Sequence, residues 1–289
     1  MTGQTRTGQT GQAGQAGRTR SGQAMTVRTP RRLGPPRPGD GGLTGAVRSE
    51  WVKFWSVQST WWTLASGVAL MIGGVTIAAV STRSQHAQGV PEAFTTSAPF
   101  VAAQAIGYLV QWCVAVLGVL TITSEYSTGT IRSTLVWVPD RGRVLLAKIL
   151  VLAPVMLVFG LVLGAGALGL SIVGLGEYGD SYSTDDAYDT VLGIALYLPL
   201  LAVFALGLGV LMRGAAGAIA VLFVILLIFP IMLPAVNLAQ VAEYLPGDAG
   251  AAMMNGGGHG RPLSGLIVLG WTLLSALAAH LWLKRRDIT

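Results

Sequence analysis

The sequence predicts an all-α integral membrane protein: six transmembrane helices, preceded by an interfacial helix, with a short helix in one cytoplasmic loop and a re-entrant segment in one outer loop. Three observations predict it. Of the 289 residues, 52% are hydrophobic and 11% charged, and the mean hydropathy is +0.60; soluble domains carry about 25% charged residues. Six apolar runs, at about 62–80, 101–123, 144–174, 191–212, 215–236 and 263–283, are near or above the roughly 20 residues that cross a hydrocarbon core. The connections between them alternate in charge. With the N-terminus inside, Arg48, Lys53, Arg132, Arg141, Arg143, Lys148, Arg213, Lys284, Arg285 and Arg286 fall on the inner face, and only Arg83 and Arg261 on the outer one. This is the bias of Lys and Arg toward cytoplasmic loops. It predicts a multi-pass protein of the cell membrane with both termini cytoplasmic.

Residues 1–42 read as a disordered tail. Thr-Gly-Gln and Gly-Gln-Ala units recur over residues 2–17, and Pro30, Pro35, Pro36 and Pro38 follow. Few apolar side chains are available to offset the entropy of ordering. No apolar stretch precedes Leu43, so a secretory signal is not expected. Arg18, Arg20, Arg28, Arg31, Arg32 and Arg37 are read as solvated, with contact to anionic lipid headgroups as the alternative. Met25 is an alternative start.

The membrane domain occupies residues 43–289. Its first stretch has helical period: Leu43, Val47, Trp51, Phe54 and Trp55 fall on one face, and Ser49, Lys53 and Ser56 on the other. Such a Trp-rich pattern suits a helix lying in the interface plane; a frayed extension of the first span is the alternative. Trp61 and Trp62 follow, at headgroup depth. Pro154, Pro199, Pro230 and Pro234 interrupt the later spans, each removing a backbone donor. Gly160, Gly164, Gly166, Gly207 and Gly209 are read as points of close helix packing. The connection 177–190 carries Glu177, Asp180, Asp185, Asp186 and Asp189 without a base and is read as a solvated outer loop. Beyond Pro234, two pieces too short to cross the membrane, around Tyr244-Leu245-Pro246 and up to Met254, read as fragments dipping back at the outer face, with a plain loop as the alternative.

Chemistry-bearing constellations are scarce. Cys113 is the sole cysteine, which excludes an intramolecular disulfide. His86, His259 and His280 are scattered, so no metal cluster is expected. No phosphate-cradling Gly-Lys-Ser/Thr loop is present, because Lys53, Lys148 and Lys284 follow Val, Ala and Leu. The chain is therefore not expected to hydrolyse ATP, and no catalytic residue, cofactor or metal ligand is assigned to it. No basic domain is large enough to follow a phosphate backbone, so nucleic-acid binding is not expected. Glu125 ends the second run, where it pairs with Arg132, bonds amides of the next helix start, or is simply solvated.

The stretch 124–148 organises the rest. It is a polar island between two long apolar runs and carries Arg132, Arg141, Arg143 and Lys148. Gly129 lets the chain turn out of the second span. Thr130 caps a short helix over 131–137, and Pro139 stops it. Ile131, Leu135 and Val138 give that helix an apolar edge suited to a partner's groove.

Glu125-Tyr126-Ser127-Thr128-Gly129-Thr130-Ile131-Arg132, with Pro139, Arg141 and Lys148 after it, resembles the first cytoplasmic loop of the membrane subunits of type 2 ABC exporters. Arg48-Ser49-Glu50-Trp51-Val52-Lys53 and Ser59-Thr60-Trp61-Trp62-Thr63-Leu64 resemble the entry helix of the actinobacterial permeases. Tyr244-Leu245-Pro246 followed by Gly250 is similar to the outer re-entrant segment. The resemblance covers residues from about 47 to the C-terminus. It implies a permease of two paired six-span subunits, identical or not, whose loop forms a coupling helix seated in a cleft of a separate ABC ATPase subunit. ATP and Mg would be bound by that partner. The entry helix departs from the family pattern, since Phe54-Trp55 and Gln58 stand where Leu-Arg and Arg are expected. A membrane-embedded enzyme such as a lipid-modifying transferase, or a non-transporting sensor or immunity subunit, are the alternatives.

Overall fold

The computed structural model describes residues 42–128 and 141–285. Every named element among them is helical. The helices are α1 (Leu43–Ser56), α2 (Gln58–Ala87), α3 (Ala98–Ala105), α4 (Gln111–Thr128), α5 (Arg141–Leu175), α6 (Thr184–Met212), α7 (Ala215–Phe223), α8 (Phe229–Ala235), α9 (Ala239–Ala242), α10 (Pro246–Asn255) and α11 (Arg261–Arg285). Single π-turns at Ile106–Val110 and Val224–Ile228 join α3 to α4 and α7 to α8. Six helical segments are long and apolar enough to cross a membrane: Gln58–Ala87, Ala98–Tyr126, Gly142–Tyr178, Thr184–Met212, Ala215–Ala235 and Arg261–Lys284. The chain is a multi-pass helical membrane protein.

These boundaries follow from local chemistry. Isolated apolar helices satisfy all their backbone groups internally, which is what a bilayer demands. The chain breaks between α1 and α2 at Val57, whose backbone is extended, so α1 leaves at an angle set by one residue. The fourth span begins at Thr184, seven residues before its apolar run. Ser183 caps it, accepting from Asp186 N at 3.0 Å and donating to Asp186 Oδ2 at 2.8 Å, which satisfies one of the free donors of the first turn. Asp185, Asp186 and Asp189 therefore belong to a helix and not to a loop, a correction to the sequence reading. The same helix ends at Arg213 in a left-handed conformation (φ 57°). The Arg213 guanidinium lies 4.2 Å from the Trp282 ring centre, a cation–π contact that helps hold the strained turn.

Helix α6 is the central element. It packs against α3, α4, α5, α10 and α11, and Ile194, Tyr197, Leu198, Leu201, Leu206 and Val210 along it are fully buried. Close approach rests on small residues. A Cβ on Gly160 of α5 would lie 2.8 Å from Ala195 Cα, and one on Gly207 would lie 2.7 Å from Ser275 Oγ of α11. Gly160, Gly164, Gly207 and Gly209, read from the sequence as packing sites, all face neighbouring helices; Gly166 touches only Met71. In lipid, dispersion between closely approaching backbones replaces much of the hydrophobic drive for helix association. Tyr197 OH donates to Gln111 Oε1 at 2.8 Å across α6 and α4, with both side chains buried.

One end of the bundle gathers α1, the end of α4, the start of α5, Arg213 and Trp282. The opposite end gathers the connections around Glu92, Asp180 and Arg261. There Ser97 and Asp180 form an isolated bridge, with Asp180 N donating to Thr96 O at 3.0 Å. Arg261 Nη1 bonds Asp189 Oδ2 at 2.7 Å and Asp186 Oδ1 at 3.4 Å.

Candidate functional site

Four charged side chains meet inside the first of these ends. Glu50 and Lys53 come from α1, Glu125 from α4 and Lys148 from α5. Lys148 Nζ donates to Glu50 Oε2 at 2.7 Å, to Glu125 Oε1 at 2.8 Å and to the Thr121 carbonyl at 3.3 Å. Its three N–H donors are thereby all used. Lys53 Nζ donates to Glu50 Oε1 at 2.8 Å and to Glu125 Oε1 at 3.2 Å. The result is a neutral ring of two carboxylates and two ammonium groups joining three helices.

Burial makes this ring consequential. Lys148 is 2% exposed, Glu50 5% and Glu125 8%, while the Lys53 side chain is 42% exposed. Burial pushes the Glu50 carboxyl up, but Lys148 first and then Lys53 outweigh it and hold it below the usual carboxylate range. Burial also opposes the charge on Lys53; hydrogen bonds and charge from Glu50 and Glu125 hold its ammonium above the usual lysine range. Each buried charge thus has an opposite charge within the ring, the condition under which buried charges persist, while Glu125 Oε2 is buried without a hydrogen-bond partner.

A cavity of about 440 Å³ opens beside the ring. Phe54, Leu117, Leu120 and Val151 form apolar walls, Glu50, Lys53, Glu125 and Lys148 form the charged end, and Ser56, Val57 and Ser59 lie on the α1–α2 connection. A larger cavity, about 540 Å³, lies at the opposite end among Glu92, Thr96, Ser97, Asp180, Asp186 and Arg261. Its ion pairs use carboxylates that are about half exposed. The smaller cavity carries the buried charges and is the candidate site on that ground. No group of three or more metal-ligating side chains occurs among the described residues.

The structure reorders several sequence readings. The buried face of α1 is Ala46–Glu50–Phe54, so a carboxylate sits at the centre of the packed face. Trp51, placed on that face by its period, is 48% exposed. Lys148, read from the sequence as part of the polar island 124–148, belongs to the ring. Glu125 pairs with Lys148 and Lys53; Arg132, one of the partners considered for it, lies outside the described residues, as do Gly129, Thr130, Ile131, Leu135 and Pro139. Tyr126 is half-buried beside Glu125, and Thr128 and Arg141 stand at the facing ends of α4 and α5. The tail 1–41 also lies outside the described residues.

Tyr244, Leu245 and Pro246 sit far from the ring. Tyr244 is exposed, and its carbonyl accepts from Trp271 Nε1 at 2.8 Å. Leu245 provides the extended cap of α10, and Pro246 its first helical residue, where a missing N–H costs nothing. Gly250 then lies directly on the Tyr197 ring; any side chain there would collide with it.

Sequence reasoning missed the union of Glu50 with Lys148. One local signal existed: Glu50 and Lys53 are three apart on a helix and therefore neighbours. A scan of protein-family models and a search of curated proteins find no match to this chain.

Proposed function

We propose that this chain is the membrane-spanning permease subunit of an ATP-driven ABC exporter of type 2, working as a pair of such subunits with a separate ATPase in the cell membrane. The observation that carries this reading is the buried ring. It ties α1 to the two spans that enter and leave residues 129–140, the stretch whose sequence resembles a coupling helix. A partner pressing on that stretch would move α4, α5 and α1 as one body, because the ring's buried charges resist separation. All three donors of Lys148 are engaged by the ring and a carbonyl, and this suits a mechanical joint better than an acid–base centre. In this reading α1 lies in the cytoplasmic interface, with Trp51, Trp61 and Trp62 exposed toward headgroups. The short helices α9 and α10 re-enter from the outer face, and both termini are cytoplasmic.

The test is co-purification of the ATPase partner with variants at matched membrane expression. Leu135→Asp places an unpaired charge in the docking contact and is expected to release the ATPase. Asp185→Asn with Asp186→Asn, at the opposite end, is expected to retain it. Retention with Leu135→Asp equal to the unaltered chain would overturn the assignment.

A further inference from the structure

We infer that the cavity beside the charge ring binds an amphiphile with an anionic headgroup, its charge on Lys53 and its apolar chain against Phe54, Leu117, Leu120 and Val151. The inference goes beyond the exporter reading and does not require it; it rests only on the six spans lying in a bilayer.

The two ammonium groups of the ring are not equivalent. Lys148 is fully engaged, by two carboxylates and a carbonyl. Lys53 makes two bonds, both to carboxylate oxygens, which leaves one of its three N–H donors for a ligand. Its side chain is 42% exposed, whereas those of Glu50 and Glu125 are 6% and 10% exposed. An arriving headgroup therefore meets an ammonium before it meets a carboxylate. An anionic oxygen there makes a charge-assisted bond. A cationic headgroup would have to displace Lys53 from Glu50 and Glu125.

The remaining wall sets the rest of the ligand. Phe54, Leu117 and Val151 are buried yet line the cavity, so they present apolar surface to its contents. A free inorganic anion would leave that surface uncovered. About 440 Å³ falls within the range of pockets that enclose a small organic ligand and accepts part of one chain. The connection at Ser56, Val57 and Ser59 is exposed and lies at the end of the first span, at the level where lipid headgroups begin.

The test uses the full chain in nanodiscs, without any ATPase. Phosphatidylglycerol carrying a photoactivatable group in one tail is compared with phosphatidylcholine carrying the same tail, and cross-links are mapped by peptide. Phosphatidylglycerol is expected to label residues 117–121 at least about ten-fold more than phosphatidylcholine. Lys53→Gln is expected to bring that labelling down to the phosphatidylcholine level. Leu120→Trp, which fills the cavity and keeps the charge, is expected to reduce it similarly. Labelling of the first span elsewhere reports that both variants remain inserted.

Dodecyl phosphate added from solution distinguishes the source. Displacement of the label marks a site open to soluble amphiphiles, and persistence marks a resident lipid; either outcome places the amphiphile in the cavity. Equal labelling by both lipids, unchanged labelling in Lys53→Gln, or displacement by inorganic phosphate alone would overturn the inference. Because no ATPase is present, such a failure leaves the exporter reading standing, and loss of the exporter reading leaves this result intact.

Discussion

Replacing Lys148 by Met tests how the ring holds its end of the bundle together. Methionine keeps the length of the side chain and removes its charge. Glu50 and Glu125, 5% and 8% exposed, are then left with Lys53 as their shared cation. Breaking a buried ion pair by removing one partner costs about 3–5 kcal/mol. At roughly 2–4 °C per kcal/mol for a domain of this size, the midpoint of thermal unfolding should fall by roughly 6–20 °C.

Lys53→Met removes a cation whose side chain is 42% exposed. The cost of such a solvated pair is about 1 kcal/mol or less, a fall of at most about 4 °C. The chain offers its own probe, since Cys113 is the single cysteine and lies half-buried in the second span. A thiol-reactive fluorophore therefore reports unfolding from one site. Adding Glu125→Gln to Lys148→Met leaves Glu50 paired with Lys53 and should recover much of the loss, a coupling that a double-mutant cycle measures directly. If Lys148→Met lowers the midpoint no further than Lys53→Met, or if Glu125→Gln deepens the loss, the ring is not the joint described.

Other outcomes follow from the same geometry. Glu50 is held below the usual carboxylate range, so its contribution is present above about pH 4.3 and is lost as pH falls through the lowered folded value; midpoints measured against pH should show this acid limb, and Glu50→Gln should flatten it. Lys53 is held above the usual lysine range, so its contribution is present below about pH 10.4 and fades as pH rises through the raised value. Tyr197→Phe leaves buried Gln111 without its partner and should cost about 1–3 kcal/mol, read from the same thiol assay. Gly250→Leu collides with the Tyr197 ring and should unseat α10, seen as faster proteolysis between Pro246 and Asn255 with the six spans still inserted. ATP hydrolysis by the purified chain alone should stay at background, because Lys53, Lys148 and Lys284 lie in no phosphate-cradling loop; robust turnover free of contaminants would remove the exporter reading.

The spans were legible because each is encoded locally. Apolar runs at 191–212 and 215–236 became helices ending or starting within a residue of those limits at Met212, Ala215 and Ala235. Start positions were less legible where a cap lies outside the apolar run: Ser183 caps α6 within the acidic stretch, so the helix begins earlier than hydropathy alone indicates. The ring was the least legible feature. Glu50 and Lys148 are 98 residues apart in the chain, and no period or motif links them. A lysine near the start of a span looks like a topological signal; only packing shows that Lys148 turns inward. The Tyr197–Gln111 bond, 86 residues apart, was hidden for the same reason.

The crowding around α6 also bears on which parts of the chain are free to vary. In its most apolar window 72% of residues are buried, against 17% for the fifth span and 22% for the first. Added atoms on the packed side of α6 have nowhere to go, since Ala195, Ala202 and the backbone beside Gly207 already touch their neighbours, whereas Leu192 and Leu196 on the same helix are about half exposed. Variation is therefore channelled to the outer spans, where Ile77, Val80, Phe223 and Ile231 face outward. A saturation library should mirror this division, with substitutions at Ala195, Ala202 and Gly207 purged and those at Ile77 and Ile231 accepted across the apolar alphabet.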